Sequence, residues 1–582
     1  MILHLASRRT HFRVSIGALA LGFACLSSAQ VGGGVGDFVS SNSGPDPFSG
    51  ININTRVGAN TFYGAGYNGT RATIANIEAG LPWNGHETLA HQTTRFFAPG
   101  FGGTQLGQTD RHATWVGAVL GGRLTGGGGE YQRGIAYGAN LWAGAVATSW
   151  VGSPFTLSFS WSNNNAFLFP YKTAMVDGIG GQTADVINSS WGYSDPAGNS
   201  IFTRSIDGLI WQSHKVMTAS AGNSGPGSNT IGGMASGYNV ISVGATGTDT
   251  SSPSYNAVSN FSSRSPSSYS GPDGTASNAR ARIDIVAPGE NFTLAYYGGA
   301  TGGNQGGVAD GGPNFYSANL AGTSFAAPTV AGSAGLIVDA GKALFGGGNS
   351  IDARVVKSVL QTSADKLAGW NNGQTVQGDG SILTTQALDF AQGAGQLNLS
   401  SAFNVYTTGT TDVAGLGGGS IKKTGWDFGK VTASAPNDYF FTDALLGGST
   451  FTATLNWFVH REFTSINADG TMVAPDLKFS NLDLELYTIT GGIFSTLVAK
   501  SDAAFINTEH FSILLPGTGM YGLRVNYLGA RYDLSNDGAS ETYGLSWAGT
   551  AAPVPEPASM LALGAGLALA FRRRKARAGL KD

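Results

Sequence analysis

Between residues 72 and 289 short apolar runs recur, each closing in a turn of small residues: ATIANIEAG (72–80), ADVINSSWG (184–192), KVMTASAGN (215–223), NVISVGATG (239–247) and ARIDIVAPG (281–289). Their apolar and β-branched positions are continuous instead of alternating, the pattern of strands covered on both faces, and stretches able to form helices lie between them. This predicts a mostly parallel sheet layered with helices, with ligands gathering beyond the C-terminal strand ends. After about residue 405 the pattern changes. FTATLNWFV (451–459), LDLELYTI (482–489), FSTLVAKS (494–501), HFSILL (510–515), MYGLRVNYL (520–528) and TYGLSWAG (542–549) read as β segments separated by turns. They predict an antiparallel sandwich or jelly roll. The expected division is an α/β domain over 59–405 and a β-rich accessory domain over 425–550, with GTTDVAGLGGGS between them as linker or loop.

Two Gly-rich inserts, GGRLTGGGGE (121–130) and YGGATGGNQGGVADGG (297–312), have no periodicity and read as surface loops. Residues 30–58, rich in Gly, Ser, Asn and Pro, read as a flexible lead-in. Composition agrees: 12% charged residues, about half the usual share, and 89 glycines among 582 residues describe a loop-rich protein, neither a coiled coil nor a charged tail. A formal net charge of -3 lacks the basic footprint of a nucleic-acid-binding protein.

The ends are not ordinary domain sequence. Arg8, Arg9 and Arg13 precede the apolar run SIGALALGFACL (15–26), and Ser27-Ser28-Ala29 precede Gln30. This is the layout of a secretory signal peptide over 1–29, with cleavage after Ala29, and it implies the export machinery as a partner. A spanning anchor would need a longer apolar run, and Phe23 fits poorly in a lipoprotein reading of Cys25. Removal of the peptide takes away the one cysteine, so no disulfide staples the exported chain. The other end, 551–582, holds Val554-Pro555-Glu556-Pro557, an apolar stretch from Ala558 to Phe571, and Arg572-Arg573-Arg574-Lys575. A helix of that stretch spans about 21 Å, short of a hydrocarbon core of about 30 Å, so a transient transmembrane hold with a positive cytoplasmic stop fits it better than a permanent span. The three-part pattern resembles the PEP-CTERM sorting signal of Gram-negative bacteria. That resemblance implies an exosortase-type processing enzyme and a secreted or cell-surface, matrix-associated product.

Candidate chemistry centres on AGTSFAAPTVAG (321–332). Ser324 starts a helix-forming run, where it serves either as a cap or as a group presented to a substrate beside free backbone N–H donors. His112, in DRHATWVGAVLGG (110–122), opens a helix that would bury Val116 and Ala118-Val119-Leu120, and is either structural or a base. Glu78 ends an apolar strand and reads as a turn or a site residue; Asn223 lies in TASAGNSGPG, where a turn explains it as well. Taken singly, all four stay ambiguous.

Together these segments resemble the subtilisin-like serine proteases, the S8 peptidase family. GTSFAAPTVAG matches the nucleophile segment, His112 the histidine block, and SAGNSG the stretch supplying an oxyanion-hole asparagine. GIAYGANLWAG (134–144), VAPG (286–289) and GAGQLNLSSAF (393–403) follow in the family's order. The resemblance implies a subtilisin-like α/β catalytic domain, a serine endopeptidase acting on polypeptides, and a catalytic set of Glu78, His112 and Ser324. It further implies an oxyanion hole from Asn223 and Ser324, substrate pairing at Ser190, Trp191 and Gly192, and calcium as a structural ion. No contiguous ligand loop names a metal site. Trp191 reads equally well as core filling. The first carboxylate block departs from the family: Glu78-Ala79-Gly80 stands where Asp-Thr-Gly or Asp-Ser-Gly is usual, while HETL (86–89) keeps the register. The extra methylene moves the carboxylate by more than an ångström unless strand or rotamer adjusts, and this opens the alternative of a catalytically impaired peptide-binding surface protein. Asp110, two residues before His112, is the rival acid and reads more simply as a cap.

Overall fold

The continuous apolar runs become strands buried along their length. In chain order they are β1 (Thr73–Glu78), β2 (Thr94–Phe97), β3 (Asn140–Ala145), β4 (Val186–Ser189), β5 (Val216–Ser220), β6 (Ile241–Gly247) and β7 (Ile285–Pro288). They lie in the order β7-β6-β5-β4-β1-β3-β2, every neighbouring pair parallel, and Ala257–Val258 adds an antiparallel segment to β6. The chain lays β3 and β2 to one side of β1 and β4 to β7 to the other. In open sheets of this kind the ligand crevice lies where the two windings part, here at the C-terminal ends of β1 and β4. The computed structural model describes residues 51–550 and 552, apart from 100–106, 124–132, 154–155, 162–163, 248–254, 300–301, 305–311, 313–314, 411–413 and 467–471. The expected signal peptide and sorting segment lie outside the described residues.

Two helices, α1 (Arg111–Gly121) and α3 (Thr323–Phe345), carry site residues, and α2 (Ile201–Ser213) packs toward the β-rich region. The helix α3 is buried without interruption from Thr323 to Gly341 and lies against β4 to β7 and against α1. A helix apolar on all sides belongs in a core, which explains why its sequence carries no amphipathic stripe. Val116 and Ala118-Val119-Leu120 of α1 are buried, as its pattern requires. Two further helices follow, α4 (Ala353–Thr362) and α5 (Leu399–Thr408).

The β-rich region comprises β8 (Gly419–Ile421), β9 (Thr424–Thr432), β10 (Asn437–Phe441), β11 (Thr450–Trp457), β12 (Asp476–Thr490), β13 (Ile493–Ser501), β14 (Thr508–Leu514), β15 (Tyr521–Asp533) and β16 (Ser540–Ala548). One sheet runs β9-β16-β11-β14, antiparallel throughout. The other has β13-β12-β15-β10-β8 at its heart, and Phe451, Leu455 and Phe511 of the first sheet share a core with Leu484, Leu523 and Val525 of the second. The sandwich is not purely antiparallel: β8 runs parallel to β10, and Ile382–Thr384 joins the edge parallel to β13. That last strand comes from well before residue 405, so the two regions share a sheet across the expected division.

Buried polar contacts join them further. Arg461, 1% exposed, reaches Asp207 of α2 at 2.9 Å and Asp476 at 2.8 Å, while Asp207 accepts the backbone N–H groups of Tyr238 and Asn239. Thr362 of α4 bonds Thr454 and Ser546 on the sandwich. Two expectations change. The described part of the lead-in is packed: Ile53 and Val57 are buried, and the Val57 carbonyl accepts Leu399 N–H at 2.7 Å, because these apolar side chains find the core. Part of the second Gly-rich insert is buried as well: Gly302–Asn304 forms a short turn against the start of α1.

Removing Arg461 would leave buried Asp207 with backbone donors but no cation and Asp476 with Arg204 alone; breaking a buried pair typically costs about 3–5 kcal/mol. We expect Arg461→Ala to lower unfolding stability by that amount in urea titrations of the full chain; a loss below about 1 kcal/mol, the value of an exposed pair, would contradict this.

Candidate active site

The crevice is built from backbone outward. β1 ends at Glu78, paired with Ala145 of β3, and the next turn is tied to the start of α1: Leu81 N–H donates to Gln108 O at 2.8 Å and Asp110 N–H to Leu81 O at 2.8 Å. Asp110 caps α1, its carboxylate accepting the N–H groups of His112 at 3.1 Å and Ala113 at 3.2 Å. Gly303 packs so closely on this cap that a methyl group there would overlap the Asp110 carboxylate, so the insert can approach only as glycine. His112 is thereby fixed in the first turn, facing the end of β1.

Glu78 reaches it. The fully buried carboxylate places Oε2 2.9 Å from His112 Nδ1, and its Oε1 accepts Ser190 N–H at 2.7 Å. Ser190 follows β4, the strand beside β1, so the extra methylene of Glu is taken up by a second anchor on the neighbouring strand. The same peptide segment faces the nucleophile candidate: Ser324 Oγ donates to Ser190 O at 3.0 Å. Among the described residues no hydrogen bond joins Ser324 to His112. The rings of His112 and Phe325, the residue after Ser324, lie 6.4 Å apart, and Trp115 stands 6.3 Å from the imidazole, giving it an apolar wall.

Asn223 also meets this point. Its Oδ1 accepts both Thr323 N–H and Thr323 Oγ1–H at 2.9 Å, which fixes the amide orientation and leaves Nδ2 facing outward. A methyl group on Gly322 would sit 3.5 Å from Asn223 Nδ2 and 3.6 Å from Ser324 N. The bare Gly322 Cα therefore leaves open a space bordered by two N–H donors, one of them at the N-terminus of α3. Pro328 has no N–H to return to the Ser324 carbonyl, so the first turn of α3 is freed from the regular ladder where Ser324 sits. Thr323 escaped sequence reasoning: it is the neighbour of a candidate, and only its two bonds to Asn223 disclose its part.

Electrostatics follow from burial and pairing. Burial pushes the Glu78 carboxyl above its ordinary range, and the His112 hydrogen bond and charge and the Ser190 N–H pull it only part of the way back. Burial opposes charge on His112, but the hydrogen bond and charge of Glu78 together with the charge of Asp110 outweigh it, so its pKa is raised. With Nδ1–H donated to Glu78, Nε2 carries the free lone pair. Of the substrate candidates, Trp191 is 2% exposed, its indole N–H bonded to Ile77 O and its ring packed among Phe159, Trp161 and Phe167. The ring belongs to the core; only the backbone of 190–192 borders the crevice. Asn188 Nδ2 braces Ser190 Oγ at 3.0 Å.

Comparison with known proteins gives two family matches. The subtilase family model matches residues 98–395, just over half of the chain, and the PEP-CTERM protein-sorting motif matches 553–575. His112, Ser190, Asn223 and Ser324 fall inside the first match, whereas Glu78 precedes it. Among solved structures, that of the prenylagaramide maturation protease PagA aligns at 20% identity over 61% of this chain and 99% of its own, with a TM-score of 0.41. Comparison with curated proteins gave no match. No helix among the described residues is long and apolar enough to cross a membrane; the expected transmembrane segment at 558–571 lies outside those residues.

The Glu78 contact predicts a titration. His112 should titrate above the ordinary 6.5 in imidazole proton NMR. Glu78→Gln, which removes the charge and keeps the length, should bring it down; an unchanged midpoint would mean that the carboxylate does not set the proton affinity.

Proposed function

The chain belongs to the subtilase family, and from that premise we propose that it is an exported serine endopeptidase working through an acyl-enzyme with Ser324, His112 and Glu78. The observation that carries this reading is the doubly held carboxylate: Glu78 stands 2.9 Å from His112 Nδ1 while Ser190 N–H anchors its other oxygen. The sorting motif marks the chain for handling at the membrane of a Gram-negative bacterium by an exosortase.

In the proposed reaction the Ser324 hydroxyl leaves the Ser190 carbonyl, turns about its Cα–Cβ bond, and gives its proton to His112 Nε2 as Oγ bonds the scissile carbonyl carbon. The carbonyl oxygen becomes an oxyanion between Asn223 Nδ2 and Ser324 N–H; one such donor is typically worth about 2.7–4 kcal/mol of barrier. His112, held cationic by Glu78, then protonates the departing amine as the C–N bond breaks. Water, deprotonated by His112, cleaves the ester and returns the proton to Ser324. Extended substrates would pair with the backbone at 190–192, which recognises peptide without demanding a sequence.

The hydroxyl resting on Ser190 O, away from His112, favours the second reading, a peptide-binding surface protein that retains the fold without turnover. Labelling separates the two. A fluorophosphonate should modify Ser324, and Ser324→Ala should abolish labelling and peptide hydrolysis; folded, processed protein that binds peptide yet shows neither would establish the second reading.

The frame is cut to the longer acid. Glu78→Asp, although it restores the family's usual residue, should lower kcat by about 10²-fold with little change in KM, because a shift of an ångström at the base is enough. Equal or higher activity would show that the strand moves to follow the carboxylate.

A further inference from the structure

The strand directions of the sandwich bring many of its chain reversals to one end. β8 and β10 finish there, β12 turns into β13 there, and β15 begins there; in the facing sheet β9 and β11 begin, and β14 and β16 finish. Among the exposed residues at this end are Leu514 at 66%, Ile493 at 69% and Met520 at 38% exposure, together with Lys422 and Lys423. The loops between those strands carry one exposed acid, Asp443.

The chain leaves the sandwich at the same end. Gly549 N–H donates to Lys423 O at 2.9 Å, Leu446 N–H to Thr550 O at 2.8 Å, and Ala552 N–H to Ala444 O at 2.8 Å. The sorting motif begins at 553. From the docked Ala552 to the first residue of the apolar stretch, Ala558, six residues reach at most about 20 Å. While that stretch is held in a membrane, this end of the sandwich is tethered within about 20 Å of the lipid.

We propose that this end is a membrane-facing surface, lying on the bilayer that holds the sorting segment. Leu514, Ile493 and Met520 enter the headgroup region, and Lys422 and Lys423 meet anionic lipid phosphates. The proposal rests on the membrane hold of the tail, which the same experiment tests separately.

The full chain, with Cys25→Ser to remove its single cysteine, is labelled with an environment-sensitive dye at Leu514→Cys or Ile493→Cys. Leu534→Cys provides the comparison; Leu534 is 59% exposed and follows the far end of β15. Vesicles of phosphatidylethanolamine and phosphatidylglycerol are added and floated. The dye at 514 and 493 should shift to the blue and be quenched by lipid-attached nitroxide, and iodide should quench it several-fold less than at 534. Lys422→Glu with Lys423→Glu should reduce that protection. A chain that fails to float removes the membrane hold and the surface with it. A chain that floats with all three labels equally open to iodide overturns the surface alone. Protection seen only in native membranes containing the processing enzyme would make the partner a protein and overturn the lipid assignment.

Discussion

One peptide segment holds the candidate site together. Ser190 offers its N–H to Glu78 and its C=O to Ser324, so the carboxylate and the hydroxyl are referred to the same backbone. It does so because it follows β4, which lies beside β1 where the sheet's two windings part. Backbone groups on a central parallel strand move little, since neighbours on both sides and layers above and below fix them. The position of His112 then depends on this frame through Glu78 and through the cap that binds α1 to the turn after β1.

The longer acid is accommodated by this frame and not by a distortion of the strand. β1 keeps its parallel register to β3 through Glu78 itself. The residue after the acid is Ala79, which has no hydroxyl to offer, and the second carboxylate oxygen accepts Ser190 N–H. A buried carboxylate with one oxygen on an imidazole N–H and the other on a backbone donor has both oxygens hydrogen-bonded, which offsets part of its desolvation. The oxyanion space follows the same economy of parts, with Thr323 orienting Asn223 and Gly322 staying bare.

The two regions form one physical unit. Ile382–Thr384 pairs with β13, Arg461 sits between Asp207 and Asp476, and α4 lies on the sandwich. A buried charge cluster of this kind gives little net stability but fixes relative placement, because any displacement strands an ion. The sandwich therefore connects the α/β region that carries the candidate site to the residues that lead into the sorting motif.

Local sequence carried the strands, the start of α1, the helix-forming run of α3 and Asp110 as a turn or cap residue, because strand pattern and capping are decided by neighbours within a few residues. It also carried the C-terminal sorting motif and, through motif order, the candidate residues Glu78, His112, Asn223 and Ser324 that the fold brings near one another. Composition misled at Gly302–Asn304 and at Ile53–Val57, since Gly-rich sequence reads as loop whether or not another element packs on it. Tertiary structure alone decided whether a glutamate could touch His112, that Trp191 points into the core, and that Ile382–Thr384 joins the far sheet. Each of these depends on contacts between separated segments, 34 residues apart for Glu78 and His112 and 114 for Trp191 and Ile77, which the folded sheet sets and no local pattern encodes.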